Sequence, residues 1–181
     1  MSIKSFFGRL LAKRVVAKTK KWSKTPIATQ EKVFRHLIEA ASNTAFGVEH
    51  NFSSIKTYED FKAEVPIRDY EGFKHYIERI KKGEKNVLWK GVPLFFAKTS
   101  GTTSGAKYIP LTKGSLTYQI QAAKNALLHY IIDSGNHHFI NGKMIFLQGS
   151  PELSENGVIP SGRLSGICLL YTSPSPRDVE E

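Results

Sequence analysis

The stretch KTSGTTSGAKYIPLT, Lys98 to Thr112, constrains the fold more than any other part of the chain. Two short apolar runs, Leu94-Phe95-Phe96-Ala97 and Tyr108-Ile109-Pro110-Leu111, read as β-strands. Between them stand Thr99, Ser100, Gly101, Thr102, Thr103, Ser104 and Gly105, all of them hydroxyl-bearing residues or glycine. Hairpin loops usually take about two to five residues and favour Gly, Asn and Asp. This connection is longer and carries neither Asn nor Asp. One reading is an anion site. Backbone N–H groups on a glycine-rich turn converge on one point, because glycine admits the required φ and lets a ligand approach the backbone. Ser and Thr hydroxyls add donors, and Lys107 adds a cation, a set suited to a polyphosphate. The other reading is a Ser/Thr-rich hairpin turn that holds nothing.

Two phosphate-binding patterns are excluded by the letters. A Walker A loop needs Gly, four residues, Gly-Lys and then Ser or Thr. Counting from Gly101, Gly105 falls one place early, Ala106 stands where the second glycine belongs, and Tyr108 replaces the hydroxyl. The dinucleotide pattern G-x-G-x-x-G is absent.

The chain ahead of this loop reads as helical. Pro26 opens a helix over Ile27 to Ala41. Thr44 to Ser54 is turn-rich. Thr57 caps a short helix that runs to Val65 and ends at Pro66. Asp69 caps the next, whose face of Phe73, Tyr76, Ile77 and Ile80 stops at Gly83. Val87-Leu88-Trp89 is a further strand candidate. After the loop, Thr112 caps a helix to about Ile132, with Gly135 near its end, and Met144 to Leu147 reads as another strand. Helices leading into strands flanked by helices describe an α/β chain. Pro160 to Ile167 reads as a Gly/Ser loop. The closing CLLYTSPSPRDVEE, with two Ser-Pro steps and an acidic end, forms no packable element.

The net charge of +10 is unevenly placed. Residues 1–24 hold eight Lys or Arg and no acid, whereas the rest of the chain is nearly balanced. Ile3, Phe6, Phe7, Leu10, Leu11 and Val15 recur at helical spacing. The favoured reading is an amphipathic helix packing that stripe on its own domain with a solvated basic face. The alternative is a non-enzymatic module that docks this helix on a membrane surface or nucleic acid. No apolar run approaches the ~18–20 residues of a membrane span, and no secretory signal is visible. A single cysteine, Cys168, excludes an internal disulfide and points to the cytoplasm. His137-His138 reads as a loop pair rather than a metal site, and Trp22, Trp89, Phe95 and Phe96 as core or half-buried aromatics.

TSGTTSGAKYIPLT resembles the first signature of the adenylate-forming enzymes. With YIP after the lysine, it is similar to the auxin-responsive-promoter (Gretchen Hagen) family of acyl-acid amido synthetases, in its bacterial branch. TYEDFKAEVPIRDYEGFKHYIERIKKGEKNVLW resembles that family's helical lead-in, and GKMIFLQGSPEL its next strand and loop. Plant members of that family usually carry one more residue between the second glycine and the lysine. The resemblance implies a mostly helical N-terminal half leading into the start of the adenylate-forming large domain, incomplete here. It implies ATP and Mg²⁺, and small-molecule carboxylic acid and amino acid substrates, with no nucleic acid partner. By carry-over, Ser100, Gly101, Thr102, Thr103, Ser104 and Gly105 line the phosphates, Thr99 opens the loop, and Lys107 is the catalytic cation. Residues 1–167 are expected to be the N-terminal part of the adenylate-forming domain. Residues 168–181 are expected to be a non-native tail. The 181-residue chain is expected to be an inactive fragment of a ligase.

Overall fold

The computed structural model describes residues 3–99, 105–143, 145, 147, 149–155 and 157–172. Over these it is mostly helical with a small mixed sheet. The helices are α1 (Ile3–Ser23), α2 (Pro26–Ala41), α3 (Ala45–Glu49), α4 (Tyr58–Glu64), α5 (Tyr70–Lys81), α6 (Lys113–Ser134) and α7 (Leu164–Thr172). The strands are β1 (Phe95–Thr99), β2 (Lys107–Leu111), β3 (Ser154–Glu155) and β4 (Pro160–Gly162), in spatial order β2-β1-β4-β3. β1 runs antiparallel to β2 and parallel to β4, and β3 runs antiparallel to β4. No helix among the described residues is long and apolar enough to cross a membrane.

The chain divides into two compact units, Met1–Phe34 with Thr117–Leu147, and Arg35–Leu116 with Gln148–Glu181. In the first unit α1 corrects the sequence expectation. Its buried residues are Ser5, Ala12 and Val16, whereas Ile3, Phe6, Phe7, Leu10 and Leu11 are all exposed by more than 40%. Small side chains decide this. Ser5 and Gly8 let α1 close on a 3₁₀ turn, His138–Asn141: Asn141 Nδ2 donates to Ser5 Oγ at 2.8 Å, and a Cβ on Gly8 would meet Ile140 Cδ1 at 2.6 Å. Close approach through small residues thus outweighs the longer apolar stripe. Trp22, read as core or half-buried, is 49% exposed.

The second unit carries the sheet and the main core. Thr57 caps α4 in a reciprocal box: its hydroxyl accepts from the Asp60 N–H, and the Asp60 carboxylate accepts from the Thr57 N–H. Asp69 caps α5 by accepting from the Gly72 N–H. The apolar face of α5 then buries Tyr76, Ile77 and Ile80 against Val87, Phe96 and Ile159. A second cluster on the sheet joins Ala97, Leu111, Leu116 and Ile167.

Several expectations fail in this unit, and one in the first unit. Val87-Leu88-Trp89 is not a strand, because the Asn86 and Val87 carbonyls accept the Ala45 and Phe46 N–H groups at the start of α3. That helix, capped by Thr44, lies inside the stretch read as turns. Pro160 to Ile167 is not a loop: β4 pairs with β1 and β3, and α7 begins at Leu164 and runs to Thr172, through residues expected to form no element. Its small residues serve close approach. Ser161 is fully buried, and a Cβ on Gly166 would collide with the Ser150 carbonyl. Ile145 and Leu147 belong to no strand and are almost fully exposed, while Met144 and Phe146 lie outside the described residues.

Behind α5 a polar group ties the helices together. Tyr76 Oη donates to Glu49 Oε2 at 2.6 Å, Arg68 reaches the same hydroxyl at 3.4 Å, and Arg68 Nη2 lies 2.9 Å from His50 Nε2. The Tyr76 hydrogen bond, helped by the charges of His50 and Arg68, holds the Glu49 carboxyl below its ordinary value. A depressed carboxylate contributes stability above its unfolded-state pKa and loses it as the pH falls through the folded-state value. The thermal midpoint is therefore expected to fall as the pH drops below about 4.5. Tyr76→Phe, costing about 1 kcal/mol at neutral pH, should flatten part of that acid-side slope. Asp60 and Glu84, also lowered, contribute on the same side. An identical slope in the variant would count against the Glu49 assignment.

Candidate functional site

The loop singled out in the sequence joins two antiparallel strands, β1 inside the sheet and β2 at its edge among the described residues. Thr99 closes β1 and pairs with Lys107, which opens β2. Thr99 is exposed and Lys107 half-buried. Ser100, Gly101, Thr102, Thr103 and Ser104 lie outside the described residues. Gly105 has φ of +82°, a conformation that side chains other than glycine's resist, and a Cβ there would meet nothing within 4 Å. The end of the loop next to Lys107 is thus sharply turned and open.

The register explains how β2 is held. In an antiparallel pair, alternate residues point both N–H and C=O toward the partner, and the others point them away. Pro110 has no N–H to give, so its place is on the outward parity of an edge strand. Tyr108 shares that parity. Its outward N–H is accepted by the Tyr70 hydroxyl at 2.9 Å. Tyr70 is the first residue of α5, fixed in place by the Asp69 cap beside it. The last residue of the same helix, Lys81, sets its ammonium 4.4 Å from the centroid of the Tyr108 ring, whose edge meets Phe96. The Lys107 ammonium lies 5.7 Å from the centroid of the Tyr70 ring. So α5 touches backbone, ring and neighbouring cation at the point where the loop re-enters the sheet.

Thr99, Gly105 and Lys107, legible in the sequence as site candidates, meet at this place together with Tyr70, which was not. The signal was present in outline: Pro110 two residues after Tyr108 marks an edge strand whose outward N–H needs an acceptor. Nothing in the spacing says which of the helical aromatics supplies it. Among the described residues no group of three or more His, Cys, Asp or Glu could hold a metal ion.

Comparison with known proteins agrees with this architecture. The chain is 29% identical over 86 residues to the indole-3-acetic acid-amido synthetase GH3.4 of Arabidopsis thaliana, covering 47% of this chain and 14% of that protein. It is 24% identical over 136 residues to the jasmonoyl–L-amino acid synthetase JAR4 of Nicotiana attenuata, covering 74% of this chain and 23% of that one. The solved AtGH3.15 acyl acid amido synthetase in complex with 2,4-DB superposes with a TM-score of 0.71 at 21% identity, over 83% of this chain and 26% of the other. At that identity the likeness concerns the fold. The chain spans about a quarter or less of each of these proteins. The family pattern described as the GH3 family N-terminal domain matches residues 15–178, from within α1 through the hairpin and its loop, and the chain belongs to the GH3 family.

Proposed function

We propose that this chain is the N-terminal part of an ATP-dependent ligase that joins a carboxylic acid to the amine of an amino acid through an acyl-adenylate. The carrying observation is the hydroxyl-rich connection from Thr99 to Lys107, mounted on a hairpin that α5 holds at one end. The named relatives, an indole-3-acetic acid-amido synthetase and a jasmonoyl–L-amino acid synthetase, support the reaction class.

In the first step a carboxylate oxygen attacks the α-phosphorus of ATP. The bond between the α-phosphorus and the bridging oxygen breaks, and pyrophosphate leaves with the electron pair. In the second, the amine nitrogen attacks the acyl carbon, AMP departs, and the amine loses a proton. The task for this chain is positioning and charge stabilisation. Ser100, Gly101, Thr102, Thr103, Ser104 and Gly105 would supply N–H and O–H donors to the phosphates, Thr99 would open the loop, and Lys107 would supply the cation. Mg²⁺ would neutralise further phosphate charge, carried on the nucleotide rather than held by carboxylates of this segment. The segment alone is proposed to be inactive and the whole enzyme cytoplasmic, where ATP is supplied.

The test uses the full-length protein that carries this segment. With ATP, Mg²⁺ and a panel of carboxylic acids, pyrophosphate release is expected with at least one acid. Ser100→Ala combined with Thr103→Ala should lower that release about 10-fold or more. No release from any acid, together with ATP binding that ignores both substitutions, would remove the ligase reading.

A further inference from the structure

We propose that Tyr70 is a positioning residue for Lys107 and the start of β2, holding the Tyr108 backbone through its hydroxyl and the Lys107 ammonium through its ring. The proposal rests on the phosphate-binding reading of the loop before Lys107 and adds a residue from a separate helix to it.

Three observations converge. The Tyr108 N–H faces away from β1, so no strand among the described residues satisfies it, and the Tyr70 hydroxyl accepts it at 2.9 Å. That hydrogen bond crosses 38 residues of sequence and lands one residue from Lys107. The Lys107 ammonium sits 5.7 Å from the Tyr70 ring centroid, within cation–π range. A lysine side chain has four rotatable bonds and loses much freedom when it is fixed on a ligand. A ring that already restrains it lowers that cost. Tyr70 itself begins α5 beside a capped Asp69, so its origin is set by the helix rather than by the loop. Lys81, at the other end of α5, holds the Tyr108 ring and leaves the hairpin little room to slide along the helix.

The two functions of Tyr70 separate by substitution. Tyr70→Phe removes the acceptor and keeps the ring; Tyr70→Leu removes both. In the full-length enzyme, Tyr70→Phe is expected to raise KM for ATP about 3- to 10-fold. Tyr70→Leu is expected to raise it further, by about 10-fold or more. KM for the acid should stay within about twofold in both variants. Amide exchange at Tyr108 should accelerate in both to the same extent, because both lose the acceptor. On a Lys107→Ala background, Tyr70→Leu should add no more than Tyr70→Phe does, because the ammonium it restrains is gone. Lower thermal stability with ATP and acid affected alike would assign Tyr70 a structural role only and overturn the proposal. So would an unchanged KM for ATP in Tyr70→Leu beside a strong Lys107→Ala defect, and in that case the loop reading would survive. If Lys107→Ala also leaves ATP unaffected, both fall together.

Discussion

Lys107→Ala is expected to slow acid-dependent exchange between ATP and pyrophosphate by about 100-fold in the full-length enzyme, with the fold retained. The magnitude follows from preorganised charge. A donor or cation already aimed at developing negative charge stabilises the transition state more than the ground state, and loss of one such group costs about 10² to 10³ in rate. Lys107 is the residue proposed for that role; it starts β2 with its backbone registered against Thr99 and its ammonium 5.7 Å from the centroid of the Tyr70 ring. Lys98, the other cation beside the loop, pairs with Tyr108 and so points to the opposite face of the hairpin from Lys107 and Thr99. Lys98→Ala is therefore a useful contrast, with an effect expected under about 10-fold. Lys107→Arg keeps the charge but changes the head group to a planar fork, so it should recover only part of the loss. Exchange should be measured at saturating acid, with circular dichroism to verify folding. Equal, small effects of Lys98→Ala and Lys107→Ala would mean that the hairpin contributes only general positive potential.

The expectations that held share one property: the interaction lies within a few residues of its signal. Thr57 and Asp69 were legible as caps because their partners, Asp60 and Gly72, stand three residues on. The face of Tyr76, Ile77 and Ile80 was legible from period alone. The hairpin was legible from two apolar runs around a loop of small residues. What failed depends on partners far along the chain. The N-terminal stripe was read as a buried face, but the contact was settled by Ser5 and Gly8 against a turn more than 130 residues away. The strand β4 was hidden because Ser161 and Gly162 have no apolar period, being selected for a narrow space beside β1 and β3. The proposed site divides in the same way. The loop and its lysine were visible as letters, whereas Tyr70 becomes visible only once β2 is known to be an edge with an outward N–H.

Gly47 offers the sharpest test of such close packing, because two effects of opposite sign compete there. It lies inside α3, where alanine is preferred over glycine by about 1 kcal/mol. Propensity alone predicts that Gly47→Ala stabilises. A Cβ at Gly47, however, would collide with the Ala41 carbonyl oxygen and lie 2.9 Å from the Ala41 carbonyl carbon and 3.0 Å from the Ser42 oxygen. These are backbone atoms, and they cannot step aside as a side chain can. The Ala41 carbonyl also accepts the Thr44 N–H and its hydroxyl, and that hydroxyl caps α3 by accepting the Gly47 N–H. Moving Gly47 off Ala41 therefore strains the end of α2 and the cap of α3 together. Overpacking costs of roughly 1–3 kcal/mol are typical, and immobile atoms place this case at or above the upper end. The net expectation is destabilisation by about 2 kcal/mol or more, read as a lower midpoint in urea with an unchanged slope. Gly114→Ala should act in the opposite direction. It lies in the first turn of α6, and its nearest neighbour, Thr112 Oγ1, would be 3.8 Å from the new Cβ. There propensity acts unopposed, and a gain of up to about 1 kcal/mol is expected. Two stabilising substitutions would mean that α3 is free to move off α2, and that the Thr44 cap does not fix their separation.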